Sequence, residues 1–180
     1  MSADGTIAIR PARGEDVGAI DALLRAVFPR ADEADLVRRL CVDGDMVLLL
    51  VAVDDDTGVL AGIVAFSRMR VVVGDKAIPA VALAPVAVAA DYRAQGVAEA
   101  LIHAGIERLE AERVVLCFVL GEPAFYARFG FEVEYARNFA SPYAGDHLLA
   151  LPIQGGLMPC GVRGEATHAP AFARLGVAGS

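Results

Sequence analysis

The spacing of apolar residues changes twice between residues 83 and 120. Leu83 to Val88 is an unbroken apolar run with β-branched members, the pattern of a strand covered on both faces. Asp91-Tyr92-Arg93 interrupts it. From Gln95 onward Val97/Ala98, Leu101/Ile102, Gly105/Ile106 and Leu109 recur at helical spacing. Val114 to Leu120 then returns to a fully apolar strand. A strand–helix–strand unit of this kind predicts a right-handed parallel crossover.

The same patterning predicts the flanking elements. Thr6 to Arg10 alternates and reads as a short strand closed by Pro11. Glu15 and Asp16 open a helix whose inward stripe is Val17, Ile20, Leu24, Val27 and Phe28, and Pro29 stops it. Asp32 is placed as N-cap of a second helix, Glu33 to Cys41, with Leu36, Val37 and Leu40 inward. Met46 to Val53 and Val59 to Ser67 are strands joined by the polar hairpin loop Asp54 to Gly58, read as solvated and without calcium-ligand spacing. Met69 to Val73 extends the second of them past a bulge. Pro123 suits the first turn of a short helix that Gly130 ends. Glu132 to Tyr135 is expected as strand six, Arg137 to Gly145 as a loop, and Asp146 to Ile153 as the last strand. The order is strand, two helices, three strands, helix, strand, helix, two strands.

Gln154 to Ser180 is rich in glycine yet carries Leu157, Met158, Val162, Phe172 and Leu175. It is expected to pack as an irregular arm on the body or on a second copy of the chain, so a homodimer is open. The chain, residues 1–180, is read as one domain with a core over 6–153. At 180 residues it buries about 70% of its unfolded surface.

Charge and composition remove several classes. A net charge of −7 argues against non-specific nucleic-acid binding and requires local features to hold any anion. The longest apolar run, Ala77 to Ala90, is too short for a membrane span and contains Pro79 and Pro85. The N-terminus has no basic patch before an apolar segment, so a cytoplasmic location is expected. Cys41, Cys117 and Cys160 show neither metal spacing nor a paired framework and are expected as buried thiols; His103, His147 and His168 are expected as surface or packing residues. No metal is expected.

The turn before the central helix has the chemistry of an anion cradle. The first N–H groups of a helix lack intrahelical partners and carry the positive end of its dipole. Gly96, with the small Ala94 and Ala98, lets a phosphate approach the backbone, and Arg93 adds a planar cationic fork. A tight strand-to-helix turn needs a glycine for packing alone, so a single glycine does not decide between the two readings.

Arg93-Ala-Gln-Gly-Val-Ala98 resembles the Q/R-x-x-G-x-G/A signature of the GNAT N-acetyltransferases. Gly121-Glu-Pro-Ala-Phe-Tyr-Ala-Arg-Phe-Gly-Phe131 resembles the family's second cofactor-side segment, and the wording around both is most similar to the YhbS-like branch. The resemblance covers roughly residues 6 to 153 and implies a mixed α/β fold: a mostly antiparallel seven-stranded sheet with a central parallel pair and about four helices. It implies acetyl (acyl) transfer from acetyl-CoA, the co-substrate, to an amine of a small molecule or a protein. It further implies that Arg93, Ala94, Gln95, Gly96, Val97, Ala98 and Glu99 hold the pyrophosphate, with Phe125 beside the cofactor. Val86, Ala87 and Val88 would offer backbone groups to the pantetheine arm where the central strand splays from its neighbour. Tyr126 matches the family tyrosine that protonates the leaving thiolate; a packing tyrosine on a helix face is the competing reading.

The base is not visible. Many relatives place a glutamate on the central strand, but Ala80 to Val88 contains no acid. Neutralising a lysine-like ammonium at pH 7 costs roughly 4–5 kcal/mol. A water chain, a carboxylate such as Glu122, or an acceptor of low pKa would have to absorb it. A non-catalytic acyl-CoA-binding module is the alternative function. The acceptor pocket, formed in the family by the first two helices and late loops, has no readable motif.

Overall fold

The computed structural model describes residues 6–153 and 164–175. Eight strands form one sheet: β1 (Ile7–Pro11), β2 (Met46–Asp54), β3 (Leu60–Val73), β4 (Lys76–Val88), β5 (Leu116–Leu120), β6 (Phe139–Ala140), β7 (Leu148–Pro152) and β8 (Gly164–Thr167). Five helices accompany them: α1 (Val17–Val27), α2 (Asp32–Val42), α3 (Val97–Ala111), α4 (Pro123–Tyr126) and α5 (Val133–Ala136). The main sheet order is β1-β2-β3-β4-β5-β7, with β8 on the far part of β3 and β6 on β8. Along the main path every pairing is antiparallel except β4 with β5.

The parallel pair follows from the crossover through α3, which is long enough to return the chain to the same end of the sheet. One face of the sheet is covered by α3 and the other by α1 and α2. Leu101, Ile102 and Leu109 of α3 are buried with Leu50, Val64, Phe66 and Leu83, while Ile20 and Leu24 of α1 join Val51, Ile63 and Ala87. The central strands β2 to β5 therefore have apolar residues on both faces, which is why these runs read as continuous rather than alternating. Gly105 lets α3 lie against Phe66 of β3: a Cβ there would fall 2.4 Å from Cε2 of that ring.

The fold class matches the expectation, with eight strands rather than seven. Glu132 to Tyr135 is not strand six. Glu132 makes a single bridge to Ala150, and Val133–Ala136 coils into α5, burying Ala136 at its end. The short Val-Glu-Tyr alternation fits either state, and packing on β7 decides it. The expected 137–145 loop contains β6, and the expected irregular arm supplies β8 and a 3-10 turn, Pro170–Leu175. β8 pairs β3 in antiparallel register, Arg70 with Thr167 and Val72 with Glu165. Phe172 and Ala169 are buried with Leu36 and Leu40 of α2, so this part of the arm packs on the core of its own chain. Residues 154–163 and 176–180 of that arm, with Cys160, lie outside the described residues.

Ala31, not Asp32, is the N-cap of α2. β4 begins at Lys76, well before Leu83. Asp16 lies in a 3-10 turn ahead of α1, where Arg10 donates to it at 2.7 and 3.0 Å and the Arg13 N–H at 2.7 Å. Asp54 is not a solvated loop residue: it is 5% exposed and bonded on both oxygens. Cys41 is exposed on the outer face of α2, against expectation, while Cys117 is fully buried.

Candidate active site

β4 loses its parallel neighbour halfway along. The β4–β5 register runs from Ala80 with Leu116 to Leu83 with Val119 and stops. β4 continues against β3, Val86 opposite Val64 and Val88 opposite Gly62. Val86, Ala87 and Val88 therefore have a strand partner on one side only. On the open side the Val88 carbonyl accepts from Arg93 Nε at 3.4 Å. Leu120 and Gly121 turn away at the same level, because β5 ends there and Pro123 starts α4.

A groove of about 1360 Å³ opens at this divergence. Its floor is Leu83 to Val86 with Leu120, Gly121 and Tyr126. One wall comes from the α1–α2 corner, Phe28 to Glu33, and the other from the loop Pro142 to His147. Asp32, Glu33, Glu122 and Asp146 line it against Arg30, so its fixed charge is predominantly negative. Oε2 of Glu33 is shielded from solvent and has no hydrogen-bond partner among the described residues.

The turn from β4 to α3 has the backbone of an anion site. Gly96 is the N-cap of α3 at φ +77°, and Ala94 is also left-handed at φ +60°. Gly96 makes no side-chain cap bond, and a Cβ there would meet only Glu99 Oε2, at 4.0 Å. Glycine is therefore favoured by conformation, with open space beyond it. Arg93, Ala94, Gln95 and Gly96 are exposed, Ala98 and Glu99 half-buried, and Val97 is buried as the first core residue of α3. The Gln95 side chain is turned back, donating to the Asp91 carbonyl at 3.1 Å. The Glu99 carboxyl is held below its ordinary range, first by its own backbone N–H and then by Arg128 at 2.8 Å. Arg128 also lies 4.7 Å over the Phe125 ring, so it ties the first turn of α3 to α4. The two sequence segments thus meet in space, with the Glu99 side chain drawn toward Arg128.

Tyr126 is 8% exposed and sits at the groove floor. Phe125 and Phe131 meet its ring edge-on, at 4.9 and 5.8 Å. Its hydroxyl has no hydrogen-bond partner among the described residues, and burial pushes its pKa up to about 12, with Cys117 adding to the shift. It is therefore both a packing residue and a protonated phenol facing a groove.

Two contributors escaped the sequence reading. Tyr92 donates from its hydroxyl to Asp54 Oδ2 at 2.7 Å, pinning the turn before Gly96 to the β2–β3 hairpin. His147 lines the groove with Nδ1 3.2 Å from the Gly121 carbonyl oxygen. Neither pair is close in sequence, so no spacing reveals it. Among the described residues no cluster of His, Cys, Asp or Glu could hold a metal ion, and no helix is long and apolar enough to cross a membrane.

Comparison with known proteins agrees with this geometry. A family model described as an acetyltransferase (GNAT) domain matches residues 8–134. The uncharacterized N-acetyltransferase YhbS of Escherichia coli K12 is 44% identical over 118 residues, 66% of this chain and 69% of that protein. A crystal structure of the GNAT family N-acetyltransferase YhbS from Escherichia coli in complex with CoA superposes with a TM-score of 0.87 at 34% identity, covering 98% of this chain and 97% of that one. A GNAT family acetyltransferase from Brucella melitensis in complex with acetyl-CoA gives 0.72 at 27% identity, covering 93% and 99%.

Proposed function

The chain belongs to the GNAT acetyltransferase family, and on that premise we propose that it transfers an acetyl group from acetyl-CoA to an amine bound in the groove. The observation that carries this reading is the end of the β4–β5 ladder at Leu83, which leaves β4 open on the side where the groove and Tyr126 lie. Relatives of similar fold hold CoA and acetyl-CoA, and the residues here fit such a donor. The uncapped N–H groups of Val97 and Ala98 behind the left-handed Gly96 suit a pyrophosphate, with the Glu99 N–H, which its own carboxylate engages, next to them, and Arg93 adds charge beside them. Ala94, Gln95 and Phe125 shape the same approach, Gln95 through its backbone. The one-sided backbone of Val86, Ala87 and Val88 suits the amide-bearing pantetheine arm, and an N–H there suits the thioester oxygen.

In this reading Tyr126 is the catalytic acid. Its hydroxyl supplies the proton that the CoA sulfur takes as the carbon–sulfur bond breaks. Asp32, Glu33, Glu122 and Asp146 favour an acceptor that arrives as a cation, which an amine does near neutral pH. The acceptor is an amine of a small molecule or of a protein. Residues 1–180 are taken as one acetyltransferase domain; the pairing of β8 with β3 supports including the C-terminal segment. No feature of the groove favours a non-catalytic acyl-CoA-binding module.

The test is thiol release from acetyl-CoA across a panel of primary amines, with CoA binding followed by calorimetry. Amine-dependent release is the expected result. Tight CoA binding without release on any amine, or with water, would replace this reading by that of a binding module.

A further inference from the structure

Gly121 holds His147 on one side and Tyr126 on the other. The Gly121 carbonyl lies 3.2 Å from His147 Nδ1, and the Gly121 N–H donates to the His147 carbonyl at 3.0 Å. The missing Cβ of Gly121 leaves the space that the Tyr126 ring occupies. A carbonyl oxygen only accepts, so the hydrogen in the side-chain contact belongs to Nδ1. In the neutral ring the free lone pair is then on Nε2, and the imidazole plane is fixed. His147 is exposed, lines the groove and stands at the end of β5 that Tyr126 also faces.

From this arrangement we propose that His147 is the general base that deprotonates the acceptor amine. The proposal rests on the acetyl-transfer reading above. β4 supplies no acid from Ala80 to Val88, so a side-chain base is sought among the residues lining the groove. Imidazole is the side chain most often used for proton transfer in catalysis, and His147 is the imidazole that lines the groove. The carboxylates of Asp32, Glu33, Glu122 and Asp146 attract the cation, and His147 discharges it.

The proton balance closes. Nε2 takes one proton from the ammonium and passes it to solvent, to which the exposed ring has access. The freed nitrogen pair forms the bond to the thioester carbon, and the carbon–sulfur bond breaks. Sulfur takes a proton from the Tyr126 hydroxyl. The second nitrogen proton, lost as the amide forms, restores the phenol through solvent. One proton is released per turnover.

The experiment uses the full chain, with acetyl-CoA as donor and putrescine, glucosamine, tyramine, a lysine-containing peptide or water as nucleophile. His147→Gln keeps a donor for the Gly121 carbonyl but has no basic nitrogen. It is expected to lower kcat by about a hundredfold with KM for acetyl-CoA changed by less than about threefold. Added imidazole should restore at least about tenfold in His147→Ala, which a purely structural role would not allow. A wild type that turns over while His147→Gln stays within about threefold overturns the base and leaves acetyl transfer standing. Loss in Glu33→Gln or Glu122→Gln instead also overturns it. Should His147→Gln fail to fold, absence of imidazole rescue in His147→Ala overturns it. No thiol release by the wild type with any nucleophile, water included, overturns both readings.

Discussion

Gly121 and Tyr126 interlock: a Cβ built on Gly121 would lie 2.4 Å from Cε2 and 3.0 Å from Cδ2 of the tyrosine ring. Phe125 and Phe131 meet the ring edge-on and it is 8% exposed, so it is held on the sides away from the groove. Gly121→Ala must therefore displace the ring or the start of α4. A shift of about 1 Å at a reacting group costs about a hundredfold in rate. The expected result is a fall in kcat of that order, a lower melting temperature and CoA affinity within about threefold. Steady-state kinetics with calorimetric CoA titration reads all three. Unchanged kcat would show that the Tyr126 ring has no positional role.

At Gly96 the constraint is conformational. With φ at +77° and only Glu99 Oε2 near a built Cβ, at 4.0 Å, Gly96→Ala meets no clash. It should cost about 1–2 kcal/mol through the left-handed backbone alone. Gly96→Glu adds an anion in the open space ahead of the α3 N–H groups and is expected to abolish CoA binding. Gly96→Asn, which tolerates this φ, is the folded control. Calorimetry on a variant with a wild-type circular dichroism spectrum decides it, and retained affinity in Gly96→Glu would remove the pyrophosphate from this turn.

These sites differ in how far the sequence reveals them. Gly96, Pro123 and Gly130 are backbone punctuation, and each sits where the pattern puts it, Gly130 at φ +96° closing the turn after Tyr126. A signal carried within a few residues survives in one dimension. The groove does not, because its walls join residues 28–33 to residues 142–147. The Asp54–Tyr92 and Gly121–His147 contacts join residues 38 and 26 apart. β8 was hidden for another reason. Gly164-Glu-Ala-Thr167 has weak strand propensity, and pairing with β3 overrides it. Glu132 to Tyr135 failed in the opposite sense, where a plausible alternation was too short to resist packing as α5.

The Asp54–Tyr92 contact yields a third prediction. Asp54 Oδ1 accepts the Asp56 N–H at 2.9 Å and Oδ2 the Tyr92 hydroxyl at 2.7 Å. The phenol pKa is raised first by that hydrogen bond, and the aspartate is lowered by the same partner. The turn carrying Arg93 to Gly96 is thus fastened to a hairpin that does not touch the groove. Tyr92→Phe is expected to weaken CoA binding about threefold to tenfold while leaving kcat at saturating acetyl-CoA unchanged. An identical dissociation constant would show that the turn holds its shape without the contact.

His168 predicts how stability depends on acid. It is 9% exposed, its Nδ1 has no partner among the described residues, and its ring packs at 4.9 Å on both Tyr143 and Phe172. Burial lowers its pKa to about 4. The unfolded chain takes up this proton near pH 6.5, and the folded chain does so only near 4. Stability is therefore complete above about 6.5 and falls as pH drops toward 4, by about 3 kcal/mol at the limit. The carboxylates held low by partners, Asp16, Asp21 and Asp54, release their contributions below about pH 4, outside this window. His168→Gln should flatten urea-unfolding stability between pH 7 and 5 relative to wild type. A parallel decline in both proteins would assign the loss elsewhere.

Tyr126→Phe isolates the proton from the ring. Phenylalanine keeps the edge-on contacts with Phe125 and Phe131, so acetyl-CoA binding should persist. The phenol pKa near 12 has two consequences that pull apart. The proton is present at every working pH, but giving it to a thiolate whose thiol ordinarily titrates near 8.5 runs uphill by about 3.5 units. A thiolate also leaves with little help. The expected loss in kcat is therefore about tenfold to a hundredfold, at or below the low end of general acid catalysis, with KM for acetyl-CoA little changed. The wild-type rate should show no falling limb from this group up to about pH 10, where an unperturbed tyrosine would already be half ionised. Kinetics of both proteins from pH 7 to 10 on one acceptor test the pair of statements. A wild-type limb near pH 10 that vanishes in Tyr126→Phe would place the phenol in a wetter site than the one seen here. A loss of less than about threefold, with product release shown not to be limiting, would leave Tyr126 only its packing role.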